Sequence, residues 1–152
     1  LKKETIDLHD IIRKSGENVS LIVNNRKGVV NFKLEAEDSY IFADKLHMTN
    51  LVYNLADNAV KYSPDRLEIT LGTYETKGAI HFVVSDYGMG IEEESIPHIF
   101  DKFYRGTNGN VHNIKGFGIG LSYVKQIVSA HKGKITVTSK VGVGTTFDIT
   151  LP

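Results

Sequence analysis

Asn50, Asn54, Asp57, Asn58 and Lys61 follow one another at steps of three and four within residues 50–62. On a helix such steps line side chains along one face. Leu51, Leu55 and Ala59 make an apolar stripe beside them. A face of amides and one lysine suits a metal ion and a phosphate chain. Mg²⁺ takes oxygen ligands, keeps several waters and needs few protein ligands beside substrate phosphates. An asparagine oxygen binds it without adding negative charge next to a triphosphate, and Lys61 offers phosphate a point charge one turn further on. A solvated helix face has much the same composition, so the pattern needs company.

Company comes from four further segments. Asp86-Tyr87-Gly88-Met89-Gly90-Ile91 follows an apolar run; a carboxylate at a strand end can accept from an exocyclic amine such as that of adenine, and Gly88 and Gly90 let a flat base approach the backbone. A plain glycine-rich turn is the bland alternative. Lys115-Gly116-Phe117-Gly118-Ile119-Gly120-Leu121-Ser122 opens a helix, whose first N–H groups and positive dipole end face phosphate well. It has neither a Walker lysine nor the glycine spacing of a dinucleotide fingerprint, and a hinge before a helix would look alike. In Phe100-Asp101-Lys102-Phe103-Tyr104-Arg105, the aromatics can root a loop from which Arg105 reaches a terminal phosphate; core packing explains the phenylalanines equally well. Gly142-Val143-Gly144-Thr145 reads as a hairpin turn with a hydroxyl that can lie near phosphate.

The elements that would carry these residues follow from periodicity. Residues 7–24 have a helical rhythm interrupted at Gly16, and residues 29–34 and 40–43 read as strands. Asp44 is placed to cap a helix running to Tyr62, ended by Ser63-Pro64-Asp65. Residues 67–73 and 79–85 form strands joined near Lys77-Gly78, and residues 95–103 a short helix with Pro97 in its first turn. Residues 105–116 read as a mobile loop, 118–131 as a helix, and 134–139 with 145–151 as a closing hairpin. The expected fold is an α/β sandwich of two layers, a mixed sheet of about five strands covered on one face by about three helices.

Bulk properties narrow the function. The 152 residues suffice for one domain, and 18 Lys plus Arg balance 18 Asp plus Glu, so no basic field argues for nucleic acid. No apolar run approaches the ~20 residues that span a bilayer. There is no cysteine, which excludes disulfides, thiolate metal sites and a cysteine nucleophile. The six histidines keep no metal-ligand spacing and read as structural or surface residues. The start at Leu1, without methionine, is expected to be a cut at a linker.

Taken in order, Asn-x-x-x-Asn-Ala-x-Lys-Tyr, Asp-x-Gly-x-Gly-Ile, Phe-Asp-x-Phe-Tyr-Arg, Gly-x-Gly-x-Gly-Leu and Gly-x-Gly-Thr-x-Phe resemble the catalytic ATP-binding domain of sensor histidine kinases, within the superfamily that includes gyrase, Hsp90 and MutL. The resemblance implies that Asn58, with Asn54, holds Mg²⁺; that Lys61 and Tyr62 contact the nucleotide; and that Asp86 reads the adenine amine in a pocket shaped by Gly88, Gly90 and Ile91. It implies an ATP lid over about residues 101–117 carrying Tyr104 and Arg105, the latter near the γ-phosphate. It brings Gly116, Phe117, Gly118, Ile119, Gly120 and Leu121 to the phosphates and Thr145 near the pocket. Asn54, Lys61 and Arg105 are the expected catalytic residues.

Gyrase-type and Hsp90-type members place a glutamate one turn before the magnesium asparagine to activate water. Here that position is Asn54, and an amide is no base at neutral pH. The resemblance therefore implies phosphoryl transfer onto an existing nucleophile, a neutral imidazole. His9-Asp10 mimics the family's acceptor dipeptide but lacks a helical hairpin around it. Residues 1–8 are expected to be a linker from an absent phosphoacceptor hairpin and 9–152 the catalytic domain. The expected partners are that phosphoacceptor domain and, downstream, a response regulator, with no nucleic acid and no membrane contact. The piece itself is expected to be a cytoplasmic monomer, even if its parent is membrane-anchored. An anti-sigma-factor-type serine kinase and a nucleotide-binding regulatory module that transfers nothing are the competing readings.

Overall fold

The computed structural model describes residues 1–102 and 120–152. A first strand, β1 (Lys3–Asp7), leads into α1 (Leu8–Asn25). The Asp7 side chain caps that helix by accepting from His9 N at 3.0 Å. Helix α1 runs without a break through Gly16, contrary to the expected interruption. A Cβ there would fall 2.4 Å from the Phe32 ring. Glycine in a helix interior costs about 1 kcal/mol against alanine, and here the bare backbone gives the ring its seat.

After α1 come β2 (Val29–Leu34), β3 (Tyr40–Asp44) and the long helix α2 (Lys45–Lys61). Then follow β4 (Glu68–Thr76), β5 (Ala79–Asp86), α3 (Gly120–Ala130), β6 (Lys134–Lys140) and β7 (Gly144–Leu151). The helix expected at 95–103 is only a 3₁₀ turn, Ile96–His98. Pro97 sits in its first turn, where a missing N–H costs nothing, but so short a stretch cannot offset helix nucleation.

Residues 1–8 carry β1, which pairs antiparallel with β3 and sets Ile6 opposite Ile41. With one apolar residue in five, that strand has no readable alternation of its own; its partner defines it. The main sheet has the order β2-β4-β5-β7-β6, parallel between β2 and β4 and antiparallel elsewhere. The three helices pack on it and on each other, with α2 central between α1 and α3 and over β4 and β5. The expected two-layer sandwich is the observed one.

Register explains where the core stops. Phe32, Leu71, Val84, Phe147 and Val137 stand in one row across the sheet, on the helix side. Val30 and Ile69 begin another row on the same face, but it continues as Asp86, Thr145 and Ser139. The sheet thus changes from apolar to polar under the end of α2. Its other face carries Thr70, Ser85, Thr146 and Thr138, the polar side expected of a sheet covered once. Among the described residues, no helix is long and apolar enough to cross a membrane.

His9 belongs to this frame. It is 8% exposed, and its Nε2 lies 2.7 Å from Thr73 Oγ1, which also accepts from Ala36 N at 3.2 Å. Burial pushes its imidazole below the ordinary 6.5, outweighing the pull of Asp7 and aided by Arg13. The unfolded chain therefore takes up this proton before the folded one does. The stability held by neutral His9 is full above 6.5 and falls as pH drops through that value toward the lower folded one. Chemical denaturation at pH 7 and pH 5 is expected to show His9→Gln losing less stability on acidification than the wild type.

Candidate functional site

Helix α2 is held at both ends. Asp44 Oδ1 accepts from His47 N at 3.0 Å, and Asp44 Oδ2 accepts from Lys2 N at 2.8 Å. At the other end Ser63 Oγ donates to Ala59 O at 2.7 Å, and Arg26 Nη2 donates to Ser63 O at 2.9 Å. Leu51, Leu55 and Ala59 are buried, as the stripe requires, which turns the amide face toward the first turn of α3.

On that face Asn54 Nδ2 donates to Asn50 O at 2.8 Å. Its Oδ1 points at Gly120, where a Cβ would sit 3.3 Å away. Asn58 is half-buried, and its amide engages no partner among the described residues. Lys61, the expected point charge for phosphate, is paired within the helix: its Nζ lies 2.9 Å from Asp57 Oδ2. Both side chains are substantially exposed, and pairs of this kind contribute only about 0.5 kcal/mol, so a phosphate can compete for the lysine.

Opposite the end of α2, β5 delivers Asp86. Its Oδ1 accepts from Gly88 N at 2.8 Å and from Thr145 N at 3.2 Å. Oδ2 has no partner among the described residues, and no side-chain oxygen among them is both fully buried and unsatisfied. Among the described residues Oδ2 is therefore left as an acceptor, with its orientation set by the two bonds to Oδ1. Burial pushes the Asp86 carboxyl above the ordinary carboxylate range, against the two N–H groups that favour its charge.

The glycines of this turn act through close approach. A Cβ on Gly88 would lie 2.1 Å from the Tyr62 carbonyl oxygen, which already accepts from Met89 N at 2.9 Å. Gly90 has φ +77° and abuts the Lys140 carbonyl. The turn is thus wedged between the end of α2 and the β6–β7 hairpin.

The structure brings Asp86, Gly88, Gly90, Ile91 and Thr145 together with the Tyr62 backbone, and sets Asn54 against Gly120. Leu121 packs on the core. Tyr104, Arg105, Gly116, Phe117, Gly118 and Ile119, with most of the expected lid, lie outside the described residues. Sequence reading missed two participants. Asp57 was seen only as part of the polar face, although an aspartate four residues before a lysine on a helix signals the pair. Ser139 was not singled out, and only strand register sets it beside Thr145.

Gly88→Ala tests the wedge. Its methyl would meet backbone that both elements hold in place, so a loss of about 1–3 kcal/mol is expected, read as a lower midpoint of urea unfolding.

Residues 43–152 match the family described as "Histidine kinase-, DNA gyrase B-, and HSP90-like ATPase". The "Sensor protein RprX" of Bacteroides fragilis is 42% identical over 100% of this chain and 30% of its own length. The "Sensor histidine kinase WalK" of Bacillus subtilis is 35% identical over 78% of this chain and 20% of its own. Among solved structures, the "Mycobacterial sensor histidine kinase MprB" matches with a TM-score of 0.83 at 27% identity, over 99% of this chain and 97% of that one. The chain spans less than a third of the length of these curated relatives. With Asn54, Asn58, Asp86 and Thr145 all inside the matched region, the chain belongs to the histidine kinase-, DNA gyrase B- and HSP90-like ATPase family.

Proposed function

We propose that this domain binds Mg²⁺·ATP and passes the γ-phosphate to a histidine on a separate dimerisation and phosphoacceptor domain of its parent. The phosphate then goes to an aspartate on a response regulator, in two-component signalling. The observation that carries the reading is Asp86, whose Oδ1 is tied by two backbone N–H groups while Oδ2 has no partner among the described residues. A half-buried carboxylate held that way fits an exocyclic amine donor, and the space that a Gly88 side chain would fill fits a flat base.

The same fit extends along α2. Asn58 Oδ1 would hold Mg²⁺, with Asn54 on the same ion directly or through water. Lys61, released from Asp57, and Tyr62 contact the nucleotide. The start of α3 at Gly120 meets the phosphates with its N–H groups, and Arg105 neutralises charge near the γ-phosphate. The bound nucleotide supplies the transferable phosphoryl group; the protein orients it and neutralises its charge. Asn54 cannot take a proton from water, and its Nδ2 is already committed to Asn50 O, which supports transfer to an imidazole over hydrolysis. His9 is buried against Thr73, which supports an acceptor elsewhere. Residues 1–8 form the join to the phosphoacceptor hairpin and 9–152 the catalytic domain, which works as a cytoplasmic monomer when separated from that hairpin.

Calorimetry with a non-hydrolysable ATP analogue tests the site. Asp86→Asn is expected to weaken binding about tenfold or more, because a charged acceptor is replaced by a donor. Asn58→Ala is expected to abolish the gain from Mg²⁺ while leaving metal-free binding unchanged. A folded chain that binds no analogue overturns the proposal. Transfer of γ-phosphate to a histidine of a longer chain carrying the upstream helices tests its second half.

Asp86→Asn has an opposite effect on the fold. A carboxyl raised above 3.8 favours the folded state below that value, and this contribution is lost as pH rises through the folded value. Thermal melts are expected to show the asparagine variant gaining on the wild type between pH 4 and pH 7, as binding is lost.

A further inference from the structure

Behind Asp86, Ser139 on β6 is the point where three pieces of chain meet. Its Oγ accepts from Ile91 N at 2.8 Å, lies 3.1 Å from the Gly144 carbonyl oxygen and 2.7 Å from Thr145 Oγ1. Strand pairing sets Ser139 opposite Thr145, and Thr145 opposite Asp86. The surrounding backbone has little freedom. Gly142 N donates to Met89 O at 2.9 Å, and a Cβ on Gly144 would lie 2.1 Å from Asp86 O. The hydroxyl is therefore held from both sides, by the loop after β5 and by the β6–β7 turn.

A serine hydroxyl has one proton and two lone pairs. Ile91 N–H occupies one lone pair. The Gly144 carbonyl can only accept, so it takes the serine proton. The contact with Thr145 then runs the other way, with the threonine O–H donating into the second lone pair. Thr145 Oγ1 is left with lone pairs and no proton to offer, on the same sheet face as Asp86. Asp86 Oδ2, when ionised, is likewise an acceptor only.

We propose that Ser139 is a specificity-determining residue of the nucleotide site. By consuming the Thr145 proton it keeps the back of the pocket acceptor-only, which admits a base edge bearing an amine and rejects one bearing a carbonyl at the same place. The inference rests on the nucleotide reading above and adds the group that enforces the choice. A 6-amino purine presents N–H donors to these oxygens; a 6-keto purine presents lone pairs to lone pairs. With Ser139 truncated, the Thr145 hydroxyl rotates and donates, and the penalty on the carbonyl falls.

ATP and ITP differ in this edge, an amine against a carbonyl with its accompanying N1 proton, so the ratio of their affinities reads the effect. Calorimetry on the whole chain is expected to show the wild type favouring ATP and Ser139→Ala lowering that ratio about fivefold, the worth of one hydrogen bond. Ser139→Thr, which keeps the hydroxyl, is expected to restore it. Ser139→Cys conserves volume with a much weaker acceptor, and carries the same expectation as alanine should the smaller side chain unfold the protein. Equal weakening of both nucleotides, with the ratio unmoved, would reduce Ser139 to a purely structural role and overturn the proposal. Failure of the parent reading looks different: the wild type would bind neither nucleotide, or Asp86→Asn would leave the ratio unchanged.

Discussion

The site depends on one carboxylate. Asp86 Oδ1 accepts from the N–H of Gly88 in its own turn and from that of Thr145 on the neighbouring strand. Those two bonds join the loop after β5 to β7 and fix the direction of Oδ2. A charge brought this far out of water is tolerable only with such partners, and the raised carboxyl value shows that they compensate incompletely. The fold bears that cost where the apolar row of the sheet gives way to polar side chains. A site that must discriminate between bases needs a buried polar group whose own bonds are satisfied on one side and open on the other.

Everything around Asp86 limits movement. Helix α2 is capped by Asp44, closed by Ser63 and Arg26, and buried along Leu51, Leu55 and Ala59. The carbonyl of Tyr62, just past its end, presses on Gly88 and receives Met89 N. The β6–β7 hairpin presses from the far side on Gly90. Two packed elements thus hold a glycine turn between them, and the surroundings of Asp86 are defined by backbone with few free torsions. Lys61 contrasts with this, since among the described residues it is held by one partly exposed pair with Asp57. Such a contact is readily exchanged for a stronger anion, which suits the proposed site, rigid toward a base and adaptable toward a charged chain.

Much of this was legible in the chain. The polar steps of three and four along 50–62, the Asp44 cap and the alternation of the later strands follow from periods of 3.6 and 2, which any element must obey locally. Asp86 and its glycines stand close together in sequence, so their proximity was visible as well. Three features were not legible, each for a physical reason. Strand β1 has a single buried apolar residue and exists through its pairing with β3. Gly16 breaks no helix, because the Phe32 ring that compensates for it lies sixteen residues away on another strand. The short helix expected around Pro97 is one 3₁₀ turn among the described residues, since so few residues do not offset the cost of helix nucleation.

The sequence by itself determined the chemistry available: amides in place of acids on α2, one carboxylate before two glycines, and asparagine where related ATPases carry a base. These are choices of residue type, and residue type is what a sequence records. Only the tertiary structure decided which of those groups are already engaged. Lys61 is paired with Asp57, Asn54 is tied to Asn50, Asn58 has no amide partner among the described residues, and Ser139 comes to Thr145 through the register of two strands. A hydrogen bond has one donor, one acceptor and a reach of about 3 Å. Whether a polar group is spent or available is therefore set by which parts of the chain are packed together.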